Sequence, residues 1–286
     1  MEELAWIRLS LVRDLTFDVM ARLLAEFELP ETVFEMPRHA VAKIAGEELA
    51  SELMSQENEE RAREVLEWLR TCPDRSILTI ADADYPQNLK RSGAPVPVLY
   101  LRGKRELLER EMIALVGSAR ADAEGIADAR DFAEALAGRG LAPVLTLANA
   151  LSCEAARSVA ALGLADGGVI AVSAAGIDRA HPAASRDAFV ETAAQGLIVS
   201  VLPPGEPCSE RSEEARRAVL VGMSSRLLVV QAEPGSAPIA YARLAADLGR
   251  DVHAIPGSIH SALYKGCHRL IRDGAVLTES VRDLLA

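Results

Sequence analysis

The amino-acid sequence predicts an α/β protein in which a doubly wound, mostly parallel sheet follows a small all-helical domain. In the first 70 residues, apolar side chains recur at steps of three and four, which is typical of amphipathic helices. Further along the chain, short β-rich runs alternate with helical segments, which is typical of a parallel sheet covered by helices on both faces. The chain has 286 residues, of which 50% are hydrophobic, so it can bury a large core.

The predicted helical domain covers residues 1–70. Pro30 and Pro37 divide its apolar pattern into short helices, and no strand pattern interrupts them. Residues 1–74 contain 17 acidic and 8 basic side chains, so most of the net charge of -11 lies in this part of the chain. An acidic helical module of this size is typical of a packing or protein-interaction domain.

Residues 71–104 are predicted to form a linker and two lead-in strands, at 77–80 and 98–101, on either side of a proline-rich turn. The core is predicted to cover residues 105–286. Its strands follow the β-rich runs at 113–116, 141–147, 168–173, 197–201, 227–231 and 252–255. Ligands of such sheets bind beyond the carboxyl ends of the strands, so the loops after these runs are the candidate sites.

Composition and spacing exclude several classes of protein. The apolar runs are far shorter than the roughly 18 to 20 residues of a membrane-spanning helix, and acidic residues stand where a signal peptide would be basic. We therefore expect a cytoplasmic protein with no membrane partner. The four cysteines have neither disulfide-framework nor zinc-ligand spacing, which predicts reduced thiols and no metal. No phosphate-binding motif is complete, so no cofactor is expected.

Two candidate loops follow early core strands. The first contains Gly117, Ser118 and Arg120 before a helix, whose first backbone amides can hold a phosphate beside the serine hydroxyl and the arginine. A plain tight turn explains the same residues equally well. The second contains Gly176, which allows a close backbone approach, and Asp178, which can cap a helix or accept hydrogen bonds. A capped structural loop is the simpler explanation there.

Two further candidate regions lie later in the chain. One combines Arg216 and Arg217, which the sequence places at a helix start, with a turn that contains Gly235 and Ser236. Paired arginines can bind phosphates bidentately, but a solvated helix end explains them as well. The other follows a Pro-Gly-Ser turn, where Lys265 begins a locally basic helix. The cysteine of that helix has no base partner in the sequence, so a structural thiol is favoured over a nucleophile, and no catalytic residue is predicted.

In order and spacing, these segments resemble the DNA-processing protein A family, also called DprA or Smf. The segments that carry the resemblance are D-Y-P-Q-N-L at 84–89, I-A-L-V-G-S at 113–118, G-I-D at 176–178, V-G-M-S at 221–224, V-H-A-I-P-G-S-I-H at 252–260 and K-G-C-H-R-L-I-R-D-G-A at 265–275. The resemblance covers about residues 77–286. The N-terminal helices are similar to the family's sterile-alpha-motif-like domain.

The resemblance implies a Rossmann-like core and a protein that is not an enzyme. It also implies a homodimer formed through that core, single-stranded DNA bound in a basic pocket, and help in loading RecA onto DNA during natural transformation. The candidate nucleic-acid-binding residues are Gly117, Ser118, Arg120, Gly176, Asp178, Arg216, Arg217, Gly235, Ser236 and Lys265. The C-terminal winged helix of some relatives is not expected here.

The chain departs from the family pattern in the loops that matter for binding. Where the family has S-G-x-A-x-G-I-D, residues 146–153 read T-L-A-N-A-L-S-C, and leucines there would obstruct a phosphate backbone. The arginine of the Gly-Ser-Arg turn is displaced to Arg120. The F-P-x-R-N-R segment has lost an arginine and its aromatic residue, and aromatic stacking is worth about 1–3 kcal/mol per base.

Two alternatives to the mediator interpretation follow. The departures and the overall acidity are compatible with a degenerate paralogue that binds DNA weakly or not at all and works through protein contacts. A Rossmann-like nucleotide-processing enzyme is the other alternative. Its P-G-G-x-G-T-x-x-E motif is absent from this chain, so it is the weaker of the two.

Overall fold

The fold is built around one mixed sheet. The computed structural model describes residues 2–12, 14–93 and 95–286. The strands within that part are β1 (Arg75–Thr79), β2 (Val98–Gly103), β3 (Met112–Val116), β4 (Ala142–Thr146), β5 (Ile170–Ser173), β6 (Leu197–Ser200), β7 (Arg226–Val229), β8 (Asp251–Ala254) and β9 (Val276–Leu277). Their order is β1-β2-β6-β5-β4-β3-β7-β8-β9. Strand β2 is antiparallel to β1 and β6, and the other pairs are parallel, which confirms the predicted fold class.

Helices cover both faces of this sheet, because successive side chains of each strand point to opposite faces. Ile113 and Leu115 belong to an apolar cluster with the helices on one face, whereas Ala114 and Val116 belong to a second cluster with the helices on the other face. The helices that follow the first strand are α7 (Gln87–Lys90), α8 (Ala123–Ala137), α9 (Ala150–Ala161), α10 (Arg186–Gln195), α11 (Glu210–Met223), α12 (Ala237–Asp247), α13 (Lys265–Arg272) and α14 (Val281–Leu285). Buried on both faces, the parallel strands read as continuous apolar runs.

In the described part of the chain, six short helices precede the sheet. They are α1 (Glu2–Leu11), α2 (Phe17–Phe27), α3 (Pro30–Glu35), α4 (Arg38–Ala45), α5 (Glu47–Leu53) and α6 (Gln56–Arg70). Ile7, Leu23 and Leu53 are completely buried between them. Their apolar cluster continues into one face of the sheet, where the Ser10 hydroxyl lies 2.6 Å from the buried Tyr100 hydroxyl of β2. The N-terminal helices therefore pack directly on the core.

The linker region and the cysteines were both subjects of sequence predictions. Residues 71–104, which we expected to be a linker with lead-in strands, contain β1 and β2, and these extend the sheet at one edge. All four cysteines are free thiols. Among the described residues, no helix is both long and apolar enough to cross a membrane.

Candidate nucleic-acid interface

The topology places a crevice between β3 and β7. From β3 the chain builds outward through β4, β5 and β6 on one side, and it then crosses to β7 on the other side. Loops that leave two adjacent parallel strands in opposite directions separate at their carboxyl ends, and ligands of open α/β sheets bind at such points. The loops after β3 and β7 are therefore the first place to look for a site.

Hydrogen bonds join these two loops. The amide of Ser118 donates to the carbonyl oxygen of Gln231 over 2.8 Å, and the buried Ser118 hydroxyl accepts the amide of Arg120 at 3.0 Å. On the other loop, the Ser236 hydroxyl donates to the carbonyl oxygen of Glu233 at 2.7 Å. Gly235 has a φ of 78°, a conformation that favours glycine. The sequence-predicted residues are thus brought together at this crevice, where Arg120, Gly235 and Ser236 are accessible and Gly117 and Ser118 are buried.

Lys265 lies beside the same surface. It begins α13, and the next amide, that of Gly266, donates to the carbonyl oxygen of Ala232 in the loop after β7 at 2.7 Å. The Lys265 ammonium is exposed and donates to the backbone oxygen of Ile259. We call the resulting set the switch-point surface; its fully or partly accessible residues are Arg120, Glu233, Gly235, Ser236 and Lys265, and Gly117 and Ser118 are buried beside them.

Arg120 and Glu233 form an ion pair on this surface. Two guanidinium nitrogens of Arg120 lie 2.9 and 3.0 Å from one carboxylate oxygen of Glu233. The arginine side chain is 81% exposed, whereas that of the glutamate is only 12% exposed. Burial alone would raise the pKa of the Glu233 carboxyl, but the neighbouring Ser118 hydroxyl and Arg120 guanidinium outweigh it and leave the pKa below its ordinary value. The anion next to Arg120 is therefore one that the chain itself supplies.

A second carboxylate occupies the start of α8. Asp122 is the N-cap, and its carboxylate accepts from the Gly125 amide at 3.0 Å and from the Gln231 side-chain amide at 2.8 Å. These hydrogen bonds hold the pKa of Asp122 below its ordinary value. The helix amides that the sequence offered to a phosphate thus already bind an internal carboxylate.

The loop after β4 is closed by its own side chains. Asn149 caps α9 in a reciprocal capping box with Ser152. Leu147 and Leu151 are buried, and Leu151 packs so closely beneath Gly117 that a β-carbon on that glycine would collide with it. Our expectation that these leucines obstruct the binding surface was wrong, because both side chains pack in the interior.

Gly176 and Asp178 hold the loops after β5 and β6 together. A β-carbon on Gly176 would lie 2.6 Å from the carbonyl oxygen of Pro203, so only glycine fits this contact. The Asp178 carboxylate accepts the Gly205 amide at 2.9 Å and pairs with Arg179 at 3.2 Å. Both residues lie two strands away from the switch-point surface. Their contacts fit the simpler of our two explanations, which was a structural loop.

Arg216 and Arg217 do not stand at a helix start, as the sequence suggested, because α11 begins at Glu210 and places both in its middle. Arg216 is 8% exposed and pairs with Glu213. The Arg217 guanidinium lies 5.6 Å from the centre of the Tyr241 ring. Burial raises the pKa of the Tyr241 phenol, and the neighbouring Arg216 offsets this only in part. Both arginines therefore pack against neighbouring side chains. The helix starts at the capping box of Ser209, which we did not recognise as a helix signal in the sequence.

Sequence reasoning missed the carboxylates of this interface. Glu233 and Asp122 are 111 positions apart in the chain, and each meets the other's loop only through the adjacency of β3 and β7. An acidic residue inside a predicted phosphate-binding turn is a signal that could have indicated that a carboxylate of the chain itself takes the place of a phosphate. What the surface offers chemically is noncovalent: an exposed guanidinium, an ammonium and a neighbouring carboxylate.

These observations define a Rossmann-like α/β protein whose candidate ligand surface lies at the carboxyl ends of its parallel strands. Residues 76–286 match the family model of the DNA recombination-mediator protein A, and the chain belongs to that family. It is 29% identical over 291 residues to the protein Smf of Synechocystis sp., across 100% of this chain and 72% of the relative. It is 33% identical over 210 residues to the DNA processing protein DprA of Streptococcus pneumoniae, across 73% of this chain and 72% of the relative.

Solved structures agree with this assignment. The X-ray structure of DprA from Streptococcus pneumoniae superposes with a TM-score of 0.81 at 26% identity, over 96% of this chain and 94% of that chain. DNA processing protein A from Helicobacter pylori, whose structure was described for its single-stranded DNA binding mode, superposes with a TM-score of 0.66 at 22% identity, over 74% of this chain and 94% of that chain. The second likeness concerns the fold alone.

Proposed function

We propose that this protein binds single-stranded DNA as a recombination mediator and carries out no reaction on it. Membership of the recombination-mediator family supports this, as does the single-stranded DNA binding described for the Helicobacter pylori relative. The observation on which the proposal mainly depends is Arg120, a guanidinium that is 81% exposed at the switch point of the sheet. A cation in that position can reach a phosphate without any change in the fold.

The proposed contacts divide the candidate residues into two groups. Arg120 and Lys265 contact phosphates, with the Ser118 and Gly235 loops shaping the surface between them. The remaining candidates act indirectly: Gly176 and Asp178 fix their loops, and Arg216 and Arg217 hold α11 against its neighbours. This division revises the direct role that the sequence suggested for the paired arginines.

The proposal extends to partners. A mediator must deliver its strand to a recombinase, so RecA is the proposed protein partner and the cytoplasm the proposed location. We also propose a homodimer formed through the Rossmann-like core. Its support is the edge strand β9, where Val276 and Leu277 are 45% and 47% exposed, because apolar side chains on an open sheet edge favour pairing with another copy.

Fluorescence anisotropy of a labelled oligo-dT strand tests the proposed binding. We expect salt-dependent binding that duplex DNA does not displace, and Arg120→Ala should weaken it and reduce the slope of log affinity against log salt by about 0.7, the contribution of one phosphate contact on a single strand. Arg130→Ala is the matched control, since Arg130 is exposed on α8 outside the switch-point surface. Equal loss in both variants would show a diffuse charge effect and contradict the assigned site.

A second candidate function is a paralogue that has lost DNA binding and acts through protein contacts. The observation that favours it is the pair of internal carboxylates, Glu233 and Asp122, at the positions where phosphates would bind. Absence of oligo-dT binding even at low salt would select this candidate. Binding that is tight and selective for single strands would exclude it.

A further inference from the structure

Three chemically different side chains converge beside the loops after β5 and β6. They are His181, from the loop after β5, Cys208, from the loop after β6, and Glu213, from the first turns of α11. One imidazole nitrogen, the thiol sulfur and one carboxylate oxygen all lie within 4.8 Å of one another. The residues are separated in sequence and follow no metal-binding spacing, so only the folded chain brings them together.

The carboxylate of this trio is held in place from behind. One oxygen of Glu213 pairs with Arg216, whose side chain is 10% exposed, and the other oxygen lies 3.5 Å from the Cys208 sulfur. The two oxygens are therefore divided between an orienting arginine and the thiol. Metal-binding carboxylates and imidazoles are commonly oriented in this way by a second layer of hydrogen-bonding groups.

The other two side chains are accessible. His181 is exposed, and within the described part of the chain its ring makes no hydrogen bond or ion pair. Cys208 is partly buried and is not in a disulfide. An imidazole and a thiol beside an oriented carboxylate supply nitrogen, sulfur and oxygen ligands without a change of backbone.

We propose that this trio, His181, Cys208 and Glu213, binds Zn²⁺ or a chemically similar divalent cation. A mixed nitrogen, sulfur and oxygen set suits Zn²⁺, whereas Mg²⁺ and Ca²⁺ prefer oxygen ligands alone. Three protein ligands leave one tetrahedral position for water. As the metal–sulfur bond forms, the thiol proton is released to solvent. The bound ion ties the loops after β5 and β6 to α11, and this proposal does not depend on DNA binding.

Co²⁺ binding to the untagged, full-length, metal-free protein tests the proposal, because a cobalt–thiolate bond gives a charge-transfer absorption in the near ultraviolet. We expect a stoichiometry of one, displacement of Co²⁺ by Zn²⁺, and no charge-transfer band in Cys208→Ser. His181→Ala should weaken Zn²⁺ binding by about tenfold or more. Cys153→Ser is the matched control, since Cys153 is also a partly buried free thiol and lies outside the trio.

Three outcomes would overturn the proposal. They are the absence of the absorption band in the unaltered protein, a band that persists in Cys208→Ser, and Zn²⁺ affinity that His181→Ala leaves unchanged. His181 is exposed, so its replacement tests the site even if removal of the cysteine disturbs folding. Far-ultraviolet circular dichroism of each variant separates loss of the site from loss of the fold.

Discussion

Arg120 shows both the reach and the limit of residue-level sequence reasoning. Its position after a glycine and serine turn identified it as a candidate phosphate ligand, and the structure leaves its side chain largely exposed at the switch point. Its partner Glu233 lies 113 positions away, and pattern and spacing cannot reveal a contact that only strand order creates. The sequence also did not show that Arg216 is buried, because we placed the start of α11 at the arginines and not at Glu210; Arg216 pairs with Glu213, three residues earlier on the same helix.

Replacement of Glu233 by glutamine should strengthen DNA binding. The change releases Arg120 from its ion pair and removes a negative charge from the surface. Because the Arg120 side chain is largely exposed, this ion pair contributes about 0.2–1 kcal/mol. We therefore expect an affinity for oligo-dT about two- to fivefold higher at low salt, measured by anisotropy. Glu106→Gln, an exposed glutamate elsewhere, is the control. Unchanged or weaker binding in Glu233→Gln would mean that phosphates do not approach Arg120.

The two arginines of α11 should differ in their effect on stability. Arg216→Ala leaves the partly buried Glu213 without its partner, and we expect a loss of about 2–3 kcal/mol in the free energy of unfolding. Arg217→Ala removes mainly a cation–π contact and should cost about 1 kcal/mol or less. Urea denaturation measures both. Equal small losses, together with a large loss of DNA binding, would restore the direct phosphate role of the pair.

At the scale of elements, the strands were the most predictable part. Continuous apolar runs bounded by loops identified the core strands, because a parallel strand that is buried on both faces is apolar along its whole length and does not alternate with polar residues. Helix starts were harder to place. The start of α11 depends on a capping box between Ser209 and Ser212, and the start of α8 depends on Asp122, which binds Gln231 of another loop. Such caps combine local sequence with contacts that form only in the fold.

The cap of α8 is the prediction at this scale. Asp122→Ala should lower the free energy of unfolding by about 1 kcal/mol, whereas Asp122→Asn, which keeps an acceptor oxygen, should cost less. The folded-state pKa of Asp122 is depressed, so the contribution of its charge is present above the unfolded value of about 3.9. It is lost as pH falls through the lower folded value. Urea titrations at neutral and acidic pH should show the advantage of the aspartate over asparagine disappearing in acid; an advantage independent of pH would contradict this.

The whole molecule combines an acidic helical domain with an almost neutral sheet domain. Composition predicted that division, because the excess of acidic residues is concentrated in the first 74 positions. The order of the strands could not be read from composition or periodicity. The crossing from β6 to β7, which creates the candidate interface, depends on packing between segments distant in the chain. The open edge at β9 is likewise a property of the assembled sheet.

Oligomeric state provides the test at this scale. Leu277→Asp places a charge on the exposed edge of β9, and we expect the proposed dimer to dissociate at micromolar concentration, measured by sedimentation velocity. Leu162→Asp is the matched control, because Leu162 is a comparably exposed leucine that follows α9. A dimer that survives in Leu277→Asp but not in Leu162→Asp would move the interface from β9 to the end of α9.

The hydrogen bond between Ser10 and Tyr100 has a consequence for how the protein opens. Tyr100 is completely inaccessible on β2, next to the edge strand of the sheet, and its phenol is capped by a hydroxyl from α1. If α1 moves away from the sheet, the Tyr100 phenol loses its hydrogen-bond partner Ser10 and water reaches β2. Deuterium should therefore enter the amides of β2 only through excursions that first displace the N-terminal helices. In this molecule the acidic helices exclude solvent from the β2 end of one face of the sheet, next to the part that α8 and α9 cover.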